Sequence, residues 1–305
     1  MPSGLPTAKL GITDLEVTKL GFGAMEIRGV PRGRDVTAAQ ADTTLNAVLD
    51  SGINYIDTSI DYGLSEGFIG NYISNRRDEY FLASKCGCMV SGATVPSGPQ
   101  PHVYTTENIT VGIEQSLRRM KTDYLDVVQF HGSPTQETLE ENGSIDTLLE
   151  LKQQGKIRHI GMSGTLPNLP KQIDMAVFDV LQIPYSALER QHEDLISKAA
   201  DADIGNVIRG GVAKGEPDES GVSKPDLWKI FEKAGLDELV DEGESRTDFL
   251  LRFTLSHPSM HTTIIGTLNP DHVKQNVATA NKGALASDVY EKAKSLLAAA
   301  GETSA

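Results

Sequence analysis

Short apolar runs recur along the chain, separated by longer stretches in which apolar residues return every three or four positions. The runs Thr18–Gly23, Ile53–Ile56, Tyr80–Ser84, Leu125–Phe130, Ile157–Ser163, Val180–Ile183, Val207–Ile208 and Thr262–Ile265 read as strands. Helical spacing fills the intervals. Ala38–Asp50 sets Ala41, Leu45, Val48 and Leu49 on one face, with Thr37 as its cap. Thr105–Met120 aligns Ile109, Ile113, Leu117 and Met120, with Thr105 or Thr106 as cap and Glu107 close behind. Ser186–Ala202, Arg246–Ser256 and Pro270–Ala280 follow the same pattern, and Asp288–Ala299 predicts a closing helix capped by Ser287.

Eight strands, each followed by a helical stretch, predict a parallel sheet, and eight is the number that closes into a barrel. The competing layout, an open doubly wound sheet, carries GxGxxG after its first strand. Here LGFGAMEI offers Gly21 and Gly23 without the third glycine. The expected fold is therefore α/β, a (β/α)8 TIM barrel, with residues 1–305 forming a single domain. Gly/Pro/Ser-rich loops at Met89–His102 and Gly215–Ser223 follow strands, where the binding loops of such a barrel belong.

Composition narrows the function. The 305 residues carry 28 basic and 42 acidic side chains, a net charge of −14 that repels nucleic acid and anionic membrane. No apolar run approaches the ~20 residues of a membrane helix, and MPSGLPTAKL has no export or transit pattern, so a cytoplasmic location is expected. Cys86 and Cys88 are too few for a disulfide framework, and a lone CxC lacks the second ligand pair of a zinc site. Both are expected in the core, on one face of a strand.

Chemistry gathers at three predicted strand ends. Asp57 and Tyr62 follow the second strand, Lys85 the third and His131 the fourth. In this fold such positions converge on the barrel mouth. A phenol, with a pKa near ~10, is a poor proton donor at neutral pH. A neighbouring ammonium would lower that value by ~1–3 units. A buried Lys stays charged only beside a carboxylate, which Asp57 supplies. A His can donate to an oxygen gaining negative charge. Together these groups suit protonation of a developing alkoxide, that is, carbonyl reduction, with the hydride coming from a nicotinamide.

At this point the sequence resembles the aldo-keto reductase superfamily along nearly its whole length. LGITDLEVTKLGFGAM is similar to the family's opening hairpin and first strand, GINYIDTSIDYGLSE to its Asp/Tyr signature, and FLASKCG to its Lys strand. SLRRMKTDYLDVVQFH resembles the segment that delivers the His, and GKIRHIGMSG and VLQIPYSALER the fifth and sixth strands. The resemblance implies a barrel binding NADP(H), or less often NAD(H), across its mouth, and a small carbonyl or alcohol substrate. Tyr62 would be the general acid or base, Lys85 its modulator, Asp57 the partner of Lys85, and His131 the group that orients the carbonyl. The nucleotide would be held by Gly23, Asp57, Ser163, Gln182, Arg209, Gly210, Gly211, Thr267, His272, Gln275 and Asn276. Ser163 and Gln182 would take the carboxamide. Gly210 and Gly211 would approach the pyrophosphate, and Thr267, Gln275 and Asn276 the adenosine.

Three departures stand out. Gly164 replaces the Asn that usually follows the Ser. Arg209 stands where an aromatic normally stacks on the nicotinamide, and a stacking, anion-binding or purely structural role all suit a guanidinium. Leu268 and Asn269 occupy a turn where Arg or Lys often reads a 2′-phosphate, leaving His272 and Lys274; NADP(H) keeps the lead and NAD(H) stays open. Substrate selection is expected from Met25–Asp35, Met89–His102, Gly132–Asn142 and Gly215–Arg246. Gly132 predicts a roomy pocket, and Arg28, Arg32 and Arg34 predict a solvated loop in preference to a ligand clamp. A redox-sensing subunit with little turnover is the alternative function. A metal-dependent hydrolase is disfavoured, because the strand ends show one His and no carboxylate cluster.

Overall fold

The computed structural model describes residues 4–90, 101–216 and 225–304. The expected loops Met89–His102 and Gly215–Ser223 lie largely outside these residues. A hairpin of β1 (Thr7–Lys9) and β2 (Glu16–Thr18) opens the chain. The barrel follows: β3 (Leu20–Gly23), β4 (Tyr55–Asp57), β5 (Phe81–Cys86), β6 (Leu125–Phe130), β7 (Ile157–Ser163), β8 (Val180–Pro184), β9 (Gly205–Arg209) and β10 (Thr262–Ile265). All pairings are parallel and consecutive, and β10 closes onto β3, giving the predicted eight-stranded barrel. The expected strand Thr18–Gly23 is thus two strands. Thr18 pairs with Thr7 in the hairpin, while its N–H donates to Asn54 and its hydroxyl to the Leu20 carbonyl.

Helices α1 (Ala38–Asp50), α2 (Ser65–Tyr72), α3 (Thr106–Met120), α4 (Gln136–Glu141), α5 (Ser144–Gln153), α6 (Leu169–Asp174), α7 (Glu193–Asp201), α8 (Pro225–Lys233), α9 (Arg246–Leu255), α10 (Pro270–Lys282) and α11 (Ser287–Ala299) surround the sheet. Thr37 caps α1 in a reciprocal box with Gln40, and Thr105 caps α3. Two expectations fail. The helix anticipated from Ser186 begins only at Glu193, because the Ser186 hydroxyl accepts from Leu188 N–H and the segment folds into a turn bridging Ser186 and Glu189. Ser287 is the first residue of α11 rather than its cap; Ala286 precedes the helix without a side-chain bond.

Two apolar layers result. Leu45, Ile109, Leu148, Ile173, Ile196 and Phe249 pack between helices and sheet. A separate inner cluster joins Tyr55, Ala83, Val127, Val180 and Val207 to Leu10, Leu15 and Val17, so the hairpin plugs the N-terminal end of the barrel. With that end sealed, the C-terminal end is the open one. No described helix is long and apolar enough to cross a membrane.

Candidate active site

Strand periodicity builds the site. Since Tyr55, Ala83, Val127, Val180 and Val207 face the barrel interior, the residues two positions further, Asp57, Lys85, Gln129, Gln182 and Arg209, face it one layer closer to the mouth. The contacts agree. Lys85 Nζ donates to Asp57 Oδ1 at 2.6 Å and to the Thr58 carbonyl at 2.7 Å. Gln129 and Gln182 each donate Nε2–H to Asp57 Oδ2 at 2.8 Å. Asp57 and Lys85 are both buried. Burial alone would push the Lys85 ammonium toward neutrality, but Asp57 and Tyr62 outweigh it and hold its pKa above the ordinary value. Lys85 lies within β5 rather than after it, since the strand runs to Cys86.

Tyr62 comes from the turn after β4, closed by Tyr62 N–H donating to the Ser59 carbonyl at 3.0 Å. Its ring centroid is 4.9 Å from Lys85 Nζ and 6.1 Å from the His131 ring, edge-on to the imidazole. The expectation that Lys85 sets the phenol below its usual value is corrected. Burial raises it from 10, and Lys85 offsets this only in part. An ammonium has three donors, and two are used; no hydrogen bond joins Lys85 to the Tyr62 hydroxyl among the described residues.

His131 directly follows β6, its N–H donating to the Cys86 carbonyl. Burial, with the neighbouring Lys85 charge, pushes its pKa down to about 3, so the ring is neutral. Its Nδ1 lies 3.1 Å from Cys88 Sγ and 3.6 Å from Asp61 Oδ1. Burial, reinforced by Asp61, pushes the Cys88 thiol up to about 12. The sulfur therefore keeps its proton, and a thiol that donates it to Nδ1 would leave the ring proton on Nε2.

Cys88 is the clearest departure from the expected pattern. Gly87, at φ 92°, breaks the pleat after Cys86. Cys86 packs into the outer core, whereas Cys88 turns to the mouth. Opposite it stands His102, bridged to Cys88 in an antiparallel pair. The His102 ring covers Gly132, where a Cβ would come within 2.7 Å of it. Gly132 also takes a left-handed φ of 86°. The space anticipated beside Gly132 is thus filled. Arg32 is not simply solvated either: its guanidinium donates to Asp61 at 3.2 Å and to that residue's carbonyl at 2.7 Å.

The expected nucleotide residues divide. Ser163 ends β7 beside Gln182, and its hydroxyl has no hydrogen-bond partner among the described residues. Gly164 is explained by packing: a Cβ there would meet Gln172 Oε1 and Leu169 Cδ1, each at 2.7 Å. Gly23 pairs with Asp57 in register. Gly210 has φ 78°, and the space over it is open to within 3.9 Å of Glu189. At Gly211 a Cβ would strike Thr263. Arg209 is pressed toward neutrality by burial, with Tyr62, Glu189 and Asp57 opposing. On the far side, Thr267 and Asn276 border one small cavity with Leu20 and Val273. Gln275 donates to Asp248 at 3.2 Å, and His272 is exposed. Asn269 caps α10, and Lys274 pairs with Asp271 at 3.0 Å. Gln129, Asp61 and His102 went unseen in the sequence, and Cys88 was expected in the core.

The tips of Tyr62, His131 Nε2 and Ser163 thus face the mouth without a protein partner among the described residues, a donor set that fits a dinucleotide's carboxamide and a carbonyl oxygen. A closed parallel barrel with its polar cluster at the C-terminal mouth defines a barrel enzyme. The family model described as "Aldo/keto reductase family" matches residues 19–298. The oxidoreductase YqkF of Bacillus subtilis, whose function is uncharacterised, is 29% identical over 289 residues, covering 90% of each chain. L-galactose dehydrogenase of Arabidopsis thaliana is 29% identical, covering 88% of this chain and 86% of its own. The holo form of aldo-keto reductase AKR11C1 from Bacillus halodurans superposes with a TM-score of 0.83 at 28% identity, over 96% of both chains. The chain belongs to the aldo/keto reductase family: it is an oxidoreductase that uses a nicotinamide cofactor and acts on small carbonyl substrates.

Proposed function

We propose that the protein reduces a small aldehyde or ketone reversibly, with Tyr62 as general acid in reduction and general base in oxidation. The nicotinamide supplies the hydride. Lys85, kept charged by Asp57, favours the phenolate that forms as Tyr62 gives up its proton. Gln129 and Gln182 hold Asp57 so that it stays aimed at Lys85. His131 Nε2–H donates to the carbonyl oxygen as negative charge develops there, and the Cys88 thiol fixes that tautomer. The observation that carries this reading is the buried Lys85 ammonium 4.9 Å from the Tyr62 ring, with the neutral His131 ring edge-on to it at 6.1 Å.

For the cofactor, the family favours NADP(H). The turn at Leu268–Asn269 supports dual use instead, since Asn269 caps α10 and Lys274 is paired with Asp271. Ser163 takes the carboxamide, and Gly210 and Gly211 approach the pyrophosphate. Separate titrations with NADPH and NADH, followed by nicotinamide fluorescence, test the site and rank the two. Steady-state rates on a panel of aldehydes then test the reaction. Tight nucleotide binding without turnover would favour a redox-sensing subunit and overturn the enzymatic reading.

A further inference from the structure

The wall of the mouth gathers side chains whose donor atoms suit a metal ion, a use that carbonyl reduction does not call on. Cys88 Sγ, His131 and His102 each present a donor atom, and the three atoms all lie within 4.8 Å of one another. They come from different loops, yet the backbone fixes them. Val103 N–H donates to the Gly87 carbonyl and Met89 N–H to the Pro101 carbonyl, forming a short ribbon around Cys88 and His102. Asn108 clamps both sides of it, donating to the Cys88 carbonyl at 3.0 Å and the Val103 carbonyl at 2.7 Å. His102 stacks on Tyr104, and Tyr104 Oη donates to the His131 carbonyl. Gly132 makes room for the His102 ring, which meets the His131 ring edge-on at 5.4 Å.

We propose that Cys88, His102 and His131 form a binding site for a soft divalent ion such as Zn²⁺, and that occupancy inhibits carbonyl reduction. One thiolate and two imidazoles are the donor types such an ion selects. A tetrahedral site with Zn–S near ~2.3 Å and Zn–N near ~2.0 Å needs donors roughly 3.3–3.6 Å apart. Cys88 Sγ and His131 Nδ1 stand at 3.1 Å, and the His102 donor atom lies within 4.8 Å of both, so a small movement completes the set. Three protein ligands leave a fourth position for water, facing the mouth.

The electrostatics set the character of the site. Asp61, 3.6 Å from His131 Nδ1, favours the incoming cation, while Lys85 and Arg209 oppose it. A hard cation gains too little from these donors to offset that opposition, whereas a thiophilic ion displaces the Cys88 proton and binds the thiolate. With Nδ1 committed to the ion, His131 is pulled from its place beside Tyr62 and substrate entry is obstructed.

The test uses the full chain, stripped with EDTA and kept reduced, titrated with Co²⁺. The expected result is one ion per chain, with a thiolate-to-cobalt charge-transfer band in the near ultraviolet that Zn²⁺ abolishes by displacement. The band should vanish in Cys88→Ser and persist in Cys86→Ser, and His102→Ala should weaken binding at least about tenfold. If no such band forms, if it survives Cys88→Ser, or if His102→Ala leaves the affinity unchanged, the site does not exist as described. Inhibition is read separately: Zn²⁺ should lower the reductase rate, EDTA should restore it, and His102→Asn should be less sensitive. Because the cobalt spectrum needs no turnover, it stands or falls independently of the proposed reaction.

Discussion

Two buried carboxylates sit at opposite ends of the barrel and are satisfied in different ways. Asp126, near the start of β6, takes Arg77 at 2.6 Å and the Leu82 N–H at 2.8 Å on one oxygen, and Arg158 at 2.8 Å on the other. Both arginines reach solvent, with side chains 13% and 37% exposed. Asp57, at the end of β4, receives a single cation, Lys85, whose side chain is 0% exposed, and two neutral amides. The first arrangement saturates a carboxylate and fastens strands together. The second holds one charge in a dry place and leaves part of it unspent toward Tyr62. A buried pair of this kind is poor evidence for stability, because desolvation consumes much of its attraction. Its use is electrostatic.

Breaking each arrangement should separate the two roles. Lys85→Met strands the Asp57 charge, and should cost roughly 3–5 kcal/mol in urea unfolding and abolish measurable reduction. Asp126→Asn should cost less, about 2 kcal/mol, because its arginines can turn to water, and should leave kcat/KM within twofold of the parent. Equal catalytic losses in the two variants would erase the distinction between the ends. Gln129→Met removes one neutral donor from Asp57, with an expected loss of about 1 kcal/mol and a modest fall in kcat.

The mouth also sets the response to pH. His131, depressed to about 3, is neutral above that value, and Tyr62, raised above 10, stays protonated below it. Reduction requires the protonated phenol, so its kcat/KM should be flat between pH 5 and 8. Oxidation requires the phenolate, so its rate should climb about tenfold per pH unit over the same range. A break in the reduction profile near the ordinary imidazole value of ~6.5 would show that His131 carries a proton in the reaction.

Much of the barrel was legible because a parallel barrel writes itself as repeated short apolar runs, and the strand ends carrying Asp57, Lys85 and His131 followed from that repeat. What stayed hidden depends on three-dimensional neighbours. Gln129 meets Asp57 across 72 positions of sequence, and nothing in LDVVQF distinguishes a packed amide from an anchoring one. Cys88 escaped because the alternation rule was carried through Gly87, a residue whose φ ends the strand; the glycine in KCGC was the available signal. Gly132 suggested open space because the ring that fills it, His102, lies 30 positions earlier in a loop. The sign of the Tyr62 shift was misjudged for a related reason: Lys85 was visible in the chain, whereas the burial that outweighs it is a property of the folded mouth.

The most direct test of the account is Tyr62→Phe, measured by nicotinamide fluorescence for binding and by single-turnover oxidation of the bound nucleotide with an accepted aldehyde. The account predicts nucleotide affinity within about threefold of the parent and a hydride-transfer rate lowered by ~10²–10⁴. A variant that binds nucleotide normally and reduces the aldehyde at nearly the parent rate would contradict it.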